Sequence, residues 1–276
     1  MCNAVKMVSD RLWRTRKGWS GIKQFCLFIG MVMLLLPFSG EARAAEKLQL
    51  IGAKNLSGKS LLAGVEMTME PGWHTYWRHP GDSGIAPTFD WSKSRNVADL
   101  KLLWPAPLRF DAPDDLTVGY TDHVIWPVLI RPIDPTKSVT LDLSMHYGIC
   151  SDICVPGEAR LRLTLPDGAT EKGAHLIRQY LARVPTPPRD GMEVTAHVEK
   201  EQLFVSISGV VDDAPALIVE GPRSFWFGKP VARQDGKAIR YVVPFERTGD
   251  RPLKGADIGL IFSGPRTAIE VTQKVE

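Results

Sequence analysis

The chain has 276 residues, with 34 Lys and Arg against 31 Asp and Glu, and four cysteines. Seven of the basic and two of the acidic residues lie in the first 44, so the other 276 − 44 = 232 hold 34 − 7 = 27 basic and 31 − 2 = 29 acidic, a net charge of about −2. That balance excludes a nucleic-acid or anionic-membrane partner, and a pair of cysteines in 232 residues excludes a small disulfide-stapled scaffold.

The N-terminus reads as an export signal. Lys6, Arg11, Arg14, Arg16, Lys17 and Lys23 make a basic region, and Phe25 to Leu36 is an apolar run of 12. Pro37 and Gly40 break that run, and Ala42-Arg43-Ala44 offers a small-x-small cleavage site. Such a run falls short of the roughly 20 apolar residues that span a bilayer. Cleavage after Ala44 removes Cys2 and Cys26 and leaves Cys150 and Cys154. From Ala45 onward no run is long and apolar enough for a membrane-spanning helix.

Short β-patterned runs follow at Leu48–Ile51, Leu61–Met69, Leu100–Trp104, Val124–Ile130, Val139–Tyr147 and Ala159–Leu165. Gly, Pro and Asp clusters separate them, the pattern of an all-β sandwich or barrel. The segment Gly72–Gly84 is dense in aromatic, His and Gly residues and reads as a Gly-rich loop. Its Gly81-Asp82-Ser83-Gly84 string matches the nucleophile motif of trypsin-like proteases. Ser83 stands too early in the chain for that family's preceding His and Asp, so the protease chemistry is excluded.

Glu171–Arg183 has Leu176, Ile177, Tyr180 and Leu181 at helical spacing. Val184-Pro185-Thr186-Pro187-Pro188 then ends the helix as a stiff linker. The β pattern resumes at Glu193–Val198, Leu203–Ser208, Ala216–Glu220, Ile239–Phe245, Ile258–Phe262 and Ala268–Val271. The organisation expected is a signal segment over 1–44, a β domain over 45–168, a helical connector and Pro-rich linker over 169–189, and a second, smaller β domain over 190–276. No fixed-period repeat is present, which excludes a solenoid or propeller.

The chemistry concentrates in His146–Gly157. Val139, Leu141, Leu143, Met145 and Tyr147 alternate with polar or small residues before it, and Ala159, Leu161, Leu163 and Leu165 alternate after it. Two half-buried strands so placed put Cys150 and Cys154 in or beside a hairpin turn, within disulfide range. One reading is a static clip. A redox pair is favoured because so short a loop stabilises little, the turn is accessible, and no other pair is present. Six histidines raise the question of a metal. Without a His-Glu-x-x-His string or a second Cys pair, no structural zinc site is expected. Cys-x-x-x-Cys-x-Pro with a His is a soft ligand set of the kind copper takes. A periplasmic copper-binding or interaction protein, with a role in copper tolerance, is therefore the alternative to redox exchange.

Tyr147–Pro156, with Pro71–Trp77 and Pro80–Gly84 upstream, resembles the N-terminal periplasmic domain of DsbD-type thiol:disulfide interchange proteins, and more closely the ScsB-like branch with its short Cys spacing and second β domain. The resemblance implies an immunoglobulin-like β-sandwich followed by a smaller β-sandwich-like domain, with a short helical connector. It implies a Cys pair cycling between dithiol and disulfide, with Cys154 meeting the partner and Cys150 resolving. It further implies thioredoxin-like periplasmic acceptors and a membrane-embedded reductase as donor, here a separate protein because the chain stops at Glu276. No cofactor is required. Family members shield the pair with an aromatic cap, and Trp104–Asp111 looks like that loop, making Phe110 the first cap candidate and Tyr120 the second. Asp152, between the cysteines, disfavours a thiolate unless a cation offsets it, and Arg109 or His146 are the candidates.

Overall fold

The computed structural model describes residues 45–53, 60–81, 84–112, 115–209 and 214–276. The export signal and the Asp82-Ser83 pair lie outside the described residues. The first half opens with β1 (Glu46–Ala53), β2 (Leu61–Met69), β3 (His74–Gly81), β4 (Thr88–Asp90), β5 (Val97–Leu102) and β6 (Leu108–Ala112). It continues with β7 (Asp115–Thr121), β8 (His123–Pro132), β9 (Val139–Cys150), β10 (Cys154–Leu165) and β11 (Ala169–Thr170). These make two sheets, β11-β1-β2-β8-β5 and β10-β9-β3-β7-β6, with β4 also paired to β9.

Alternation along each strand decides what faces the space between the sheets. On β9, Val139, Leu141, Leu143, Met145, Tyr147 and Ile149 are all buried. They share one core with Val65 and Met67 of β2 and with Val124, Trp126, Val128 and Ile130 of β8. The result is an immunoglobulin-like sandwich. The Gly72–Gly84 segment, expected to be a loop, instead supplies β3, a central strand of the second sheet. Thr75 and Trp77, fully buried, are its inward residues.

β2 and β8 read as nearly continuous apolar runs because they are covered on both faces. The second cover is α1 (Glu171–Leu181), capped by Thr170, whose hydroxyl accepts from the Gly173 N–H at 2.9 Å. Gly173 allows the close approach, since a Cβ there would stand 2.4 Å from the Gly52 carbonyl oxygen. Gly64 does the same from the sheet side, where a Cβ would meet Ile125 at 2.7 Å and Ile177 at 3.1 Å. Ile177 is fully buried, which contributes roughly 2 kcal/mol. The helix expected in the connector is thus packed into the first half.

The second half holds β12 (Glu193–Glu199), β13 (Gln202–Ser208), β14 (Ala216–Glu220), β15 (Phe225–Phe227), β16 (Val231–Asp235), β17 (Ala238–Arg247), β18 (Asp257–Ser263) and β19 (Ala268–Lys274). One sheet runs β12-β13-β17-β15 with β16 also on β17, and the other runs β14-β18-β19. In the latter, β14 and β18 are buried on both faces. Leu217, Leu260 and Phe262 join the core of the second half, while Ile218 and Ile261, one residue out of phase, join that of the first.

Charge closes the same seam. Arg78 of β3 bonds Glu220 through Nε at 2.8 Å and Glu270 through a terminal nitrogen at 2.5 Å. His79 Nδ1 lies 2.8 Å from the same Glu220 carboxylate. Burial alone would raise the Glu220 carboxyl, but the bonds from His79 and Arg78 outweigh it and hold the group below its ordinary value. A carboxylate depressed in the folded state stabilises above its unfolded pKa, and that stabilisation is lost as pH falls through the lower folded value. The protein should lose thermal stability between about pH 5 and pH 3. In Glu220→Gln that loss should be smaller, and melting curves at a series of pH values measure the difference.

Candidate redox site

β9 and β10 pair without a break from Val139↔Leu165 to Cys150↔Cys154. The ladder therefore ends on the cysteines themselves, with Cα atoms 4.2 Å apart and the two sulfurs bonded. Facing residues of an antiparallel pair stand this close wherever they do not exchange hydrogen bonds. The register alone brings the sulfurs together. Ser151, Asp152 and Ile153 form the exposed turn.

The pair is asymmetric. Cys150 is 7% exposed, whereas Cys154, on the edge strand β10, is open to solvent. Ile85, Ile153 and Val155 nearby are exposed apolar residues.

Alternation turns Gly148 and Cys150 away from the core, yet both are buried. Their cover comes from β3 and the chain after it. His74 is the register partner of Cys150, and Thr75 that of Ile149. Thr75 faces inward and donates to the Gly148 carbonyl at 2.8 Å. His74 and Tyr76 face outward with the cysteines.

The Tyr76 ring lies between two glycines. A Cβ on Gly84 would stand 2.5 Å from its Cδ1, and one on Gly148 would stand 3.1 Å from its Cε2. So seated, the Tyr76 hydroxyl reaches Cys154 Sγ at 2.9 Å. A disulfide sulfur carries no hydrogen, so the phenol donates. The His74 ring continues the row, 5.4 Å from Tyr76 and 5.5 Å from Phe110. Among the described residues no group of three or more His, Cys, Asp or Glu is arranged to hold a metal ion.

A sandwich of this order, with a bonded Cys pair closing its β9–β10 ladder, matches the family described as "Thiol:disulfide interchange protein DsbD, N-terminal" over residues 46–166. Residues 46–166 are therefore similar to the DsbD N-terminal domain. The crystal structure of the N-terminal periplasmic domain of ScsB from Proteus mirabilis is similar over 84% of this chain and 94% of that one, with a TM-score of 0.71 and 23% identity. That likeness is one of fold, and it extends past the DsbD N-terminal domain into the second half. No curated protein matches the sequence.

Trp104–Asp111, the segment expected to form the cap, is not all loop. Pro105 and Pro107 lack the N–H that a ladder needs, and strand β6 begins directly after them at Leu108. Phe110 is half-buried and packs on His74, one ring removed from Tyr76. Tyr120 faces the core, opposite Thr75, where its hydroxyl donates to the Pro105 carbonyl at 2.8 Å and its ring packs edge-on to Trp126. Burial pushes that hydroxyl well above the ordinary phenol range. Tyr120 is therefore a core residue and not a cap.

Neither cation candidate lies beside the sulfurs. The Arg109 guanidinium bonds the Leu217 carbonyl of the second half at 3.1 Å. His146 is exposed and faces Thr88 and Glu158, four residues along an extended strand from Cys150. Asp152 sits in the exposed turn.

The residues that sequence reasoning missed are His74, Tyr76 and the two glycines that seat the tyrosine. Their signal was the period-two order His74, Tyr76, Arg78, legible only once that segment is taken as a strand. Tyr76→Phe keeps the ring and removes the donor. Losing a hydrogen bond of about 1.5 kcal/mol would lower the thiolate population at Cys154 about tenfold, and the gain in intrinsic nucleophilicity returns about half of that on a logarithmic scale. The reduced Tyr76→Phe variant should therefore react about threefold more slowly with a small aromatic disulfide at neutral pH, read by stopped-flow absorbance.

Proposed function

We propose that the protein is a periplasmic thiol:disulfide interchange module, working through Cys150 and Cys154. The observation that carries this reading is the bonded pair at the end of an edge hairpin, with one sulfur buried and the other exposed beside a phenol donor. The match of residues 46–166 to the DsbD N-terminal family supports the same chemistry. The expected export signal and the periplasmic family support the location.

When the pair is oxidised, a donor thiolate attacks Cys154 Sγ, the S–S bond breaks, and its electron pair leaves on Cys150 as a thiolate. The donor's second thiolate then displaces Cys154, whose departing charge the Tyr76 hydroxyl receives. Two electrons have entered and the donor leaves as a disulfide. In the other direction the Cys154 thiolate attacks an acceptor disulfide and forms a mixed disulfide. Cys150 then attacks Cys154 Sγ and releases the acceptor as a dithiol. The donor in this reading is a separate membrane-embedded reductase, and the acceptors are thioredoxin-like periplasmic proteins. Ile85, Ile153 and Val155 give such a partner an apolar rim around the reacting sulfur.

Phe110 acts in this scheme through His74, holding the ring row against Tyr76. No step calls on a cofactor or metal. The roles of the two sulfurs are separable by trapping with a thioredoxin-like acceptor on a non-reducing gel. Cys150→Ala should accumulate the mixed disulfide, because no resolving thiol remains, and Cys154→Ala should accumulate little. Equal trapping by both variants would reject the assignment. The same ring row shields the pair, so Phe110→Ala should leave the fold intact and speed reaction of the disulfide with small thiols, followed as a rate by stopped-flow absorbance.

A further inference from the structure

A second concave region lies away from the disulfide, between the two halves. It has a volume of about 780 Å³, in the size range of clefts that hold drug-sized ligands or a few residues of peptide. Arg109, Arg183, Arg189 and Arg266 line it, as does His123, whose Nε2 lies 2.8 Å from the Glu66 carboxylate, and no Asp or Glu is among the described residues of its wall. Such a concentration is not what a chain of net charge near −2 beyond residue 44 would place there by composition alone.

The arginines come from four separate places, namely β6, the end of α1, the Pro-rich linker and the β18–β19 turn. Neutral groups hold two of them in place. Arg183 stacks over the Tyr180 ring at 4.7 Å, and Arg109 donates to the Leu217 carbonyl. The Tyr180 ring fixes the Arg183 guanidinium without cancelling its charge. Among the described residues neither Arg183 nor Arg189 is paired with a carboxylate. The carbonyls at the end of α1, which would repel an anion, are already taken by the N–H groups of Ala182, Arg183 and Val184. The rest of the wall is mixed, with Ala106, Pro107, Leu108 and Ala216 beside Thr121, Thr186, Ser263 and Thr267.

Planar guanidinium forks suit carboxylates, which they can bind through two parallel hydrogen bonds. We infer that this cleft binds a ligand bearing two or more carboxylates, either a free small molecule or an acidic segment of a partner protein. The location adds a consequence. The cleft wall includes Thr121, the register partner of His74, which in turn faces Cys150. Two strand spacings, about 10 Å, therefore separate the Cα atoms of Thr121 and Cys150. A partner seated on Cys154 is within reach of the cleft with a neighbouring segment.

The test uses the oxidised protein and its Arg183→Glu/Arg189→Glu variant, both positions being exposed so that the fold is retained, with melting curves as the check. Binding is measured by fluorescence anisotropy of a labelled hexaglutamate peptide and by calorimetry with citrate. A labelled hexaglutamine peptide is the uncharged control. Hexaglutamate or citrate should bind the wild type at least about tenfold more tightly than the variant, and should weaken as salt is added. Binding of the peptide but not citrate assigns the cleft to a protein segment, and binding of citrate assigns it to a small anion. Failure of both to bind, or equal binding to the folded variant, overturns the inference. Reduction of the disulfide by dithiothreitol is followed on the same samples and should not differ between them. Failure of the anion site and failure of the redox reading are thereby distinguished.

Discussion

The site depends on one register. Pairing Val139 with Leu165 at the far end of a ladder fixes every later pair, and the last of them is Cys150 with Cys154. The same register sends six alternate side chains of β9 into the core, so slipping it by one residue would expose that whole set. Burial of the β9 face thus holds the sulfurs opposite each other. Stability of the sandwich and placement of the redox pair are the same constraint.

A second consequence concerns β3. It runs through the centre of its sheet, and its two faces serve two purposes. Thr75 and Trp77 build the core, while His74 and Tyr76 face the cysteines. Arg78, past the register shift that follows Tyr76, stacks over the Trp77 ring and meets Glu220 and Glu270 of the second half. One strand therefore connects the disulfide with the seam between the halves, over a separation of two residues. The seam is itself a shared core, since Ile218 and Ile261 enter the sandwich of the first half.

Much of this was legible in the sequence, for definite reasons. The β9–β10 hairpin could be read because both strands alternate cleanly and flank the cysteines, which are local properties. The helix could be read from the spacing of Ile177 and Tyr180, although not its docking on Gly64 and Gly52, which depends on contacts more than a hundred residues apart. β3 could not be read. Its Gly, His and aromatic residues carry turn and loop signals, and its strand character comes from pairing with β7 and β9. With β3 unseen, Tyr76 and His74 could not be placed beside the cysteines, and Tyr120 could not be recognised as a core residue opposite Thr75. The arginine cleft was equally hidden, because its four arginines are brought together by the meeting of the two halves.

The central claim is that Cys150 and Cys154 are a reversible couple within an intact fold. Equilibration in thiol–disulfide buffers of graded potential, followed by alkylation and mass analysis, measures it directly. The account predicts a single two-electron transition, the same when approached from the oxidised and the reduced side, with the melting transition retained in both states. Thiols that stay free under oxidising buffers, or a disulfide that reduces only as the protein unfolds, would contradict it.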